Sequence, residues 1–309
     1  VPASDLTPDR LRTFLAAARH LSFTRAAAEV HLSQPAVSRQ IAQVEAALGA
    51  KLFEQRGKAV HLTDAGRAFV PAAARILGDV ERALEIVPAL EGGRGGRLRV
   101  GASSTPGLYL IPKVLGAFHA RWPEVELTYT VANTTRIEEL IVRNELDLGF
   151  VGAHLAGGEL VVTPFARDEV VCAAAARHPL AVRSRRAAPE ELGRETLVLG
   201  EAGSATRVLF EAWLAAAGGS SGRTVELGSP EAIKAVVAGG FGVGVLPRLA
   251  LARGSGRGLR EVKVAAPPLT RNLSSVRHPS KPVSPAMTAF LRLVEAAVPR
   301  GSRGTGPSR

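Results

Sequence analysis

The sequence predicts an α/β multidomain protein: a small helical module at the N-terminus, one long helix, and a larger C-terminal half of alternating strands and helices. Three observations carry this. Residues 7–49 hold three helical stretches with cap residues between them, residues 69–90 repeat apolar side chains by fours and threes, and from Leu98 short β-rich runs alternate with helical ones. With 309 residues, 46% of them hydrophobic, the chain has enough apolar side chain for two or three cores.

Thr7 followed by Pro8 reads as a helix N-cap with proline at the first helical position, and Leu11, Phe14, Leu15 and Ala18 repeat at helical spacing behind it. Ser22-Phe23-Thr24 opens a short alanine-rich helix through Val30. After the turn His31-Leu32-Ser33, Ser33 caps a third helix from Gln34 to Leu48, with Pro35 in its first turn and Gly49 just past its end. Val37, Ile41, Val44 and Leu48 share one stripe of that helix, which is expected to be buried. Pro35, Arg39, Ala42 and Ala46 lie opposite, flanked by Ala36, Ser38 and Gln43. Small residues let a backbone approach a groove, while Gln34, Ser38 and Arg39 supply groups for base edges or phosphates. Residues 52–62 then read as two short strands about a glycine turn, with Arg56 and Lys58 at the tip, placed for a phosphate or the minor groove. Residues 1–63 are therefore expected to form a winged helix-turn-helix that reads duplex DNA through Ser33, Gln34, Pro35, Ser38, Arg39, Arg56 and Lys58. A small helical domain with protein partners is the alternative.

Net charge does not identify this module. The chain carries +11, but residues 1–63 hold eight Lys or Arg against five Asp or Glu, whereas residues 92–309 hold twenty-eight against eighteen. Much of the excess lies at Arg183, Arg185 and Arg186, in residues 253–263 and in the tail from Arg300. The lone Cys172 has no partner for an internal disulfide and is expected to be a buried strand residue; no His or Cys cluster has metal-ligand spacing. Asp5, Asp9 and Arg10 precede any apolar stretch and no run is long enough for a membrane span, so a cytoplasmic protein is expected.

Thr63 can cap the next helix, over residues 64–91, whose seam of Phe69, Ala73, Ile76, Val80, Ala83, Val87 and Leu90 fits pairing with a second copy. Pro71 and Pro88 interrupt it near either end. A dimer presents two recognition helices, hence a pseudo-palindromic operator. Gly92-Gly93-Arg94-Gly95-Gly96 marks a hinge. Beyond it, strands at residues 98–102, 127–131, 146–151, 170–174, 197–199, 225–227 and 243–246 alternate with helices, implying two α/β subdomains with mostly parallel sheets.

Ligands of open α/β sheets sit beyond the carboxyl ends of strands, where helix N-termini offer free N–H groups. Ser103-Ser104-Thr105, Asn133-Thr134, the run 203–207 and Ser229-Pro230 stand at such places. Ser103, Ser104, Thr105, Asn133, Thr134, Ser204, Thr206 and Arg207 are accordingly expected to line a cleft for a small anion such as a carboxylate or phosphate metabolite; hydroxyls that merely cap helices are the alternative. Gly240-Phe241-Gly242-Val243-Gly244 follows a helix and leads into a strand, the reverse of a dinucleotide turn, and no nucleophile elbow or paired-acid motif stands out. Neither catalysis nor a cofactor is expected. A solute-binding transport protein would suit the C-terminal half alone.

The ordered motifs "SFTRAAAEV", "LSQPAVSRQI", "LGAKLF" and "LTDAG" within about 60 consecutive residues closely resemble the N-terminal domain of LysR-type transcriptional regulators. Gln55 departs from the arginine the family places after "LFE", which puts one backbone contact in doubt. The resemblance continues more loosely through "LRVGAS", "LDLGFVG", "HPLA" and "SPEAIKAVVAGGFGVGVLP", similar to LysR effector domains, which share the type 2 periplasmic-binding-protein fold. It implies subdomain I at residues 97–165 and 267–300, subdomain II at 166–266, and crossings near 164–168 and 267–273. It implies too a homodimer or homotetramer and contact with RNA polymerase. Residues 301–309 are left as a basic tail expected to be disordered. "GSATR" resembles the carbon-fixation and sulfur-assimilation branches of the family.

Overall fold

The structure, a computed structural model, describes residues 6–56, 59–90, 96–155, 160–251 and 258–298; for Arg56 and residues 81–82 and 84–90 it describes the backbone alone. Of the hinge expected over residues 92–96 only Gly96 is described, and it opens a strand; residues 92–95 and the tail at 301–309 lie outside the described residues. The chain divides into two compact units, residues 1–93 with 142–145, and the rest.

In the first unit, α1 (Pro8–His20), α2 (Phe23–Glu29) and α3 (Gln34–Leu48) each start at a side-chain cap. Thr7 Oγ1 accepts from the Arg10 amide at 3.4 Å, Ser22 Oγ from Arg25 at 3.3 Å and Ser33 Oγ from Ala36 at 3.4 Å. Gly49 ends α3 at φ +66°, a left-handed turn that costs glycine nothing. Leu11, Phe14, Val37, Ile41, Val44 and Leu52 form the core. Leu48 does not join them: it is 37% exposed, because α3 leaves the core in its last turn and Glu45 and Ala47 turn inward instead. The buried Glu45 carboxylate accepts from the Leu52 and Phe53 amides at 2.9 and 3.3 Å, tying the start of the wing to α3. That wing is β1 (Phe53–Arg56) paired antiparallel with β2 (Ala59–Leu62).

Thr63 caps α4 (Asp64–Leu90), accepting from Gly66 at 3.0 Å while donating to the Lys51 carbonyl at 2.6 Å. The helix runs unbroken through Pro71 and Pro88. The seam read from the sequence divides. Ala73 and Leu77 are buried in the unit's own core with Phe69 packed beside them, whereas Ile76 is 38% exposed and Ala83 is exposed. The side chains of Val87 and Leu90 lie outside the described residues.

Among the described residues the second unit is built on nine strands, with α5 to α11 placed between them in the chain and α12 after the last. Its elements are β3 (Gly96–Ser103), α5 (Ser104–Tyr109), α6 (Ile111–Arg121), β4 (Val125–Ala132), α7 (Thr134–Val142), β5 (Leu148–Val151), β6 (Val161–Ala175), α8 (Pro179–Val182), α9 (Pro189–Leu192), β7 (Leu197–Gly200), α10 (Ala205–Ala216), β8 (Thr224–Leu227), α11 (Pro230–Ala238), β9 (Val243–Pro247), β10 (Leu259–Val262), β11 (Leu269–Arg277) and α12 (Pro285–Ala297). Two helices, α5 and α6, follow β3 and are parted at Leu110; Pro112 in the first turn of α6 lacks the N–H that would continue α5.

The strand order β4-β3-β5-β11-β6-β9-β7-β8 joins two lobes through one sheet. The outer pairings are parallel, as the alternation implied, but β6 and β11 pair antiparallel along fifteen- and nine-residue strands that serve both lobes. Their ladder shifts register between Leu273 and Ser274, opposite Pro164, which has no amide to donate. Separate cores lie at the two ends: one around Val100, Phe118, Phe150 and Phe290, the other around Leu197, Phe210, Leu214 and Val245. Cys172 is buried on β6, and burial together with the Glu261 charge pushes its thiol up to about 12, leaving it protonated and unreactive.

Candidate functional site

The outward face of α3 is polar and free. Ser33, Gln34, Pro35 and Arg39 are exposed, and Gln34 Nε2 donates to Ser38 Oγ at 3.3 Å, which holds both side chains on one edge. Ala42 and Ala46 are also exposed, so no bulk stands between the helix backbone and an approaching groove. The Arg56 side chain and Lys58 lie outside the described residues.

The cleft between the lobes of the second unit brings together Ser103, Ser104, Thr105, Asn133, Thr134, Ser204 and Thr206. Its cavity is narrow, about 30 Å³, and is also lined by Gly152, Glu201, Gly228, Ser229 and Arg271. Ser103 Oγ accepts from the Gly152 amide at 3.0 Å, and Ser229 Oγ caps α11 by accepting from Ala232 at 3.2 Å. Ser204 stands at the N-cap of α10 but makes no side-chain cap bond, which leaves its hydroxyl to the cleft. Asn133 Oδ1 accepts from Arg136 at 2.8 Å while its Nδ2 crosses the lobes to the Ala202 carbonyl at 3.2 Å. The starts of α7, α10 and α11 converge here; side chains cap α7 and α11, while α10 has no side-chain cap and turns its first amides to the cleft.

Arg207 is not brought to the cleft. Its guanidinium donates to Glu211 at 3.0 Å and Glu226 at 2.6 Å, and these two carboxylates turn it along α10 and onto β8. The cation in the cavity wall is Arg271, from the shared strand β11. Its Nε and Nη2 donate to Asp168 Oδ2 at 3.1 and 2.7 Å, Nη2 also to Thr105 Oγ1 at 2.9 Å, and Nη1 to Thr206 Oγ1 at 2.9 Å. Asp168 faces Arg271 directly across the β6–β11 ladder, and the two side chains are 1% and 2% exposed. Burial lowers the Arg271 pKa and the Asp168 charge opposes that, so the guanidinium stays charged in a dry wall. A Cβ on Gly152 would stand 2.9 Å from Nη1, so a side chain there would push the guanidinium from its present place.

One residue therefore touches both lobes and both hinge strands. Sequence reasoning placed the crossings at residues 164–168 and 267–273 but did not pair Asp168 with Arg271 across them. Two further bonds close the lobes. Tyr109 Oη donates to Glu231 at 2.7 Å, and Glu231 is paired in turn with Lys234 at 2.7 Å. On another edge the Thr135 amide donates to the Gly203 carbonyl at 3.3 Å.

Residues 8–67 match the family described as bacterial regulatory helix-turn-helix protein, lysR family, and residues 91–299 match the LysR substrate binding domain. The HTH-type transcriptional regulator CbbR of Rhodospirillum rubrum is 39% identical over 288 residues, 92% of this chain and 95% of that one. Among solved structures, a full-length OxyR point variant from Pseudomonas aeruginosa superposes with a TM-score of 0.70 at 26% identity, covering 94% of this chain and 95% of that one. The Synechocystis PCC6803 CcmR regulatory domain in complex with 2-PG covers 65% of this chain and 96% of that one at 30% identity, with a TM-score of 0.60. With both halves matched in order along one chain, this protein belongs to the LysR family of bacterial helix-turn-helix transcriptional regulators.

Proposed function

We propose that a small anionic metabolite held in the cleft beside Arg271 modulates how this regulator binds DNA or activates from it. The observation that carries the reading is a buried, charged guanidinium in a wall rich in hydroxyls and helix starts, with Glu201 as the one carboxylate among its lining residues. That is the donor set an oxyanion needs. The 2-PG bound to the CcmR regulatory domain supports an anion in this chain too. Because Arg271 reaches Thr105 on one lobe and Thr206 on the other, a ligand that engages it biases how the lobes pack.

On the DNA side, Ser33, Gln34, Pro35, Ser38 and Arg39 form one half of a reader, with Arg56 and Lys58 on the wing. Pairing through the uncovered side of α4 at Ile76, Val80 and Ala83 would duplicate it on a pseudo-palindromic operator. In this reading the protein works in the cytoplasm as a homodimer or homotetramer, engages RNA polymerase, needs no cofactor and carries out no catalysis. No described helix is long and apolar enough to cross a membrane.

The test is a gel-shift and footprint on the intergenic DNA upstream of the gene, titrated with salt and repeated with added 2-PG. A sequence-specific shift that weakens steeply with salt, and a footprint that changes with 2-PG, are expected. A shift indifferent to DNA sequence would sink the DNA reading. A footprint indifferent to 2-PG and to other small oxyanions would sink the effector reading.

A further inference from the structure

We infer that the cleft selects an oxyanion that brings its own O–H donor, such as a protonated phosphate or a hydroxy acid, over an anion of similar size that has none. The inference rests on the anion reading above and specifies the ligand class of the same site.

It follows from counting donors and acceptors around the cavity. A guanidinium has five N–H donors. Four are used by Asp168, Thr105 and Thr206, and the second proton of Nη1 has no acceptor among the described residues. Thr105 and Thr206 accept from Arg271 through their oxygens, and Ser103 accepts from the Gly152 amide, so each of these hydroxyls keeps its own proton to donate. Ser204 and the first amides of α10, which has no side-chain cap, add further donors.

Against them stands one acid. Glu201, in the loop between β7 and α10, is the only carboxylate lining this cavity, and its side chain has no hydrogen bond or ion pair among the described residues. Its Oε2 lies 3.9 Å from where a Cβ on Gly228 would stand, an ordinary contact distance. An ionised carboxylate only accepts. A fully deprotonated anion would satisfy the donors yet face Glu201 as a like charge with a lone pair against a lone pair. An oxyanion carrying an O–H satisfies both walls at once. Polar groups left unpaired in this way are what give binding sites their largest discriminations.

The experiment uses the full chain at about pH 6, where phosphate retains protons and sulfate retains none. Potassium phosphate and potassium sulfate are titrated at matched ionic strength, with binding read by calorimetry and thermal shift; glycolate against acetate forms a second pair. Phosphate is expected to bind at least about tenfold more tightly than sulfate. Glu201→Gln, whose amide can donate as well as accept, should bring the two within about twofold. A preference in the first pair assigns the donated proton to the oxyanion itself, and in the second to a carbon-borne hydroxyl. No preference in either pair, or a preference unchanged by Glu201→Gln, overturns the inference while leaving the anion site standing. Absence of binding by all four anions, in a chain whose melting curve shows it folded, overturns the anion site and this inference together.

Discussion

Replacing Asp168 by alanine leaves the Arg271 guanidinium in place with its counter-charge gone. The pair is 1% and 2% exposed, so solvent screens almost nothing, and the closest contact is 2.7 Å. Thr105 and Thr206 still accept two of its bonds, but neither carries charge. Breaking a buried pair by removing one partner costs about 3–5 kcal/mol, most of it the penalty of the orphaned ion. For a unit of roughly 200 residues that lowers the melting temperature by roughly 6–20 °C. Trp122 packs against one lobe's core and Trp213 against the other's, so urea unfolding followed by tryptophan fluorescence reads both lobes. The companion chain, Asp168→Leu with Arg271→Met, buries no charge and should recover at least about 2 kcal/mol of the loss. A single replacement costing less than about 1 kcal/mol, or a double one worse than the single, would refute the argument.

Arg39→Ala should weaken operator binding and, if Arg39 meets a phosphate, reduce the salt slope by about one; a base contact would instead relax specificity by about 1–3 kcal/mol at one position, and footprint competition separates the two. Glu45→Ala frees the Leu52 and Phe53 amides in a buried setting, which should cost about 2–4 kcal/mol and speed hydrogen exchange at both; unchanged exchange would mean that the carboxylate does not hold the wing. Burial would raise the Asp147 pKa, but the hydrogen bonds from Arg99 and the charges of Lys281 and Arg99 outweigh it and hold the carboxyl below its ordinary value. Its stabilisation is therefore complete above about pH 4 and lost as acid titrates through the lower folded value, and Asp147→Asn should flatten the stability-against-pH curve there. Tyr109→Phe removes the bond to Glu231 across the lobes and should cost about 1 kcal/mol in melting without disturbing either core; a loss several times larger would mean the ring, not the hydroxyl, joins the lobes.

Local signals are the legible ones. Thr7, Ser22, Ser33 and Thr63 cap the helices that their positions predict, and Gly49 ends α3, because capping depends on neighbours within a turn. The stripe on α4 is legible as a period but not as a division of labour: nothing in the spacing says that Ala73 faces its own chain while Ile76 does not. In the cleft, the hydroxyl-bearing loops are readable from their place after strands. The charge is not, since Arg271 meets Asp168 from 103 residues away. Arg207 reads as free only until its neighbours are weighed. Glu211 lies four residues on, a helical spacing that signals a pair, and Glu226 is reached through the β7–β8 pairing that sequence alone does not register.

The joint between the lobes is made of bonded strand rather than loose loop. A hinge in a loop turns by changing a few backbone angles and resists little. Two strands held in register for most of their length can move their ends apart only by twisting against their own ladder, and each degree of twist loads hydrogen bonds that pull it back. The compliance of β6 and β11 is concentrated where Pro164 interrupts that ladder. Opening the cleft is thus a torsion with a restoring force, and a ligand's differential affinity for the closed form has to be measured against that stiffness rather than against a freely swinging lid.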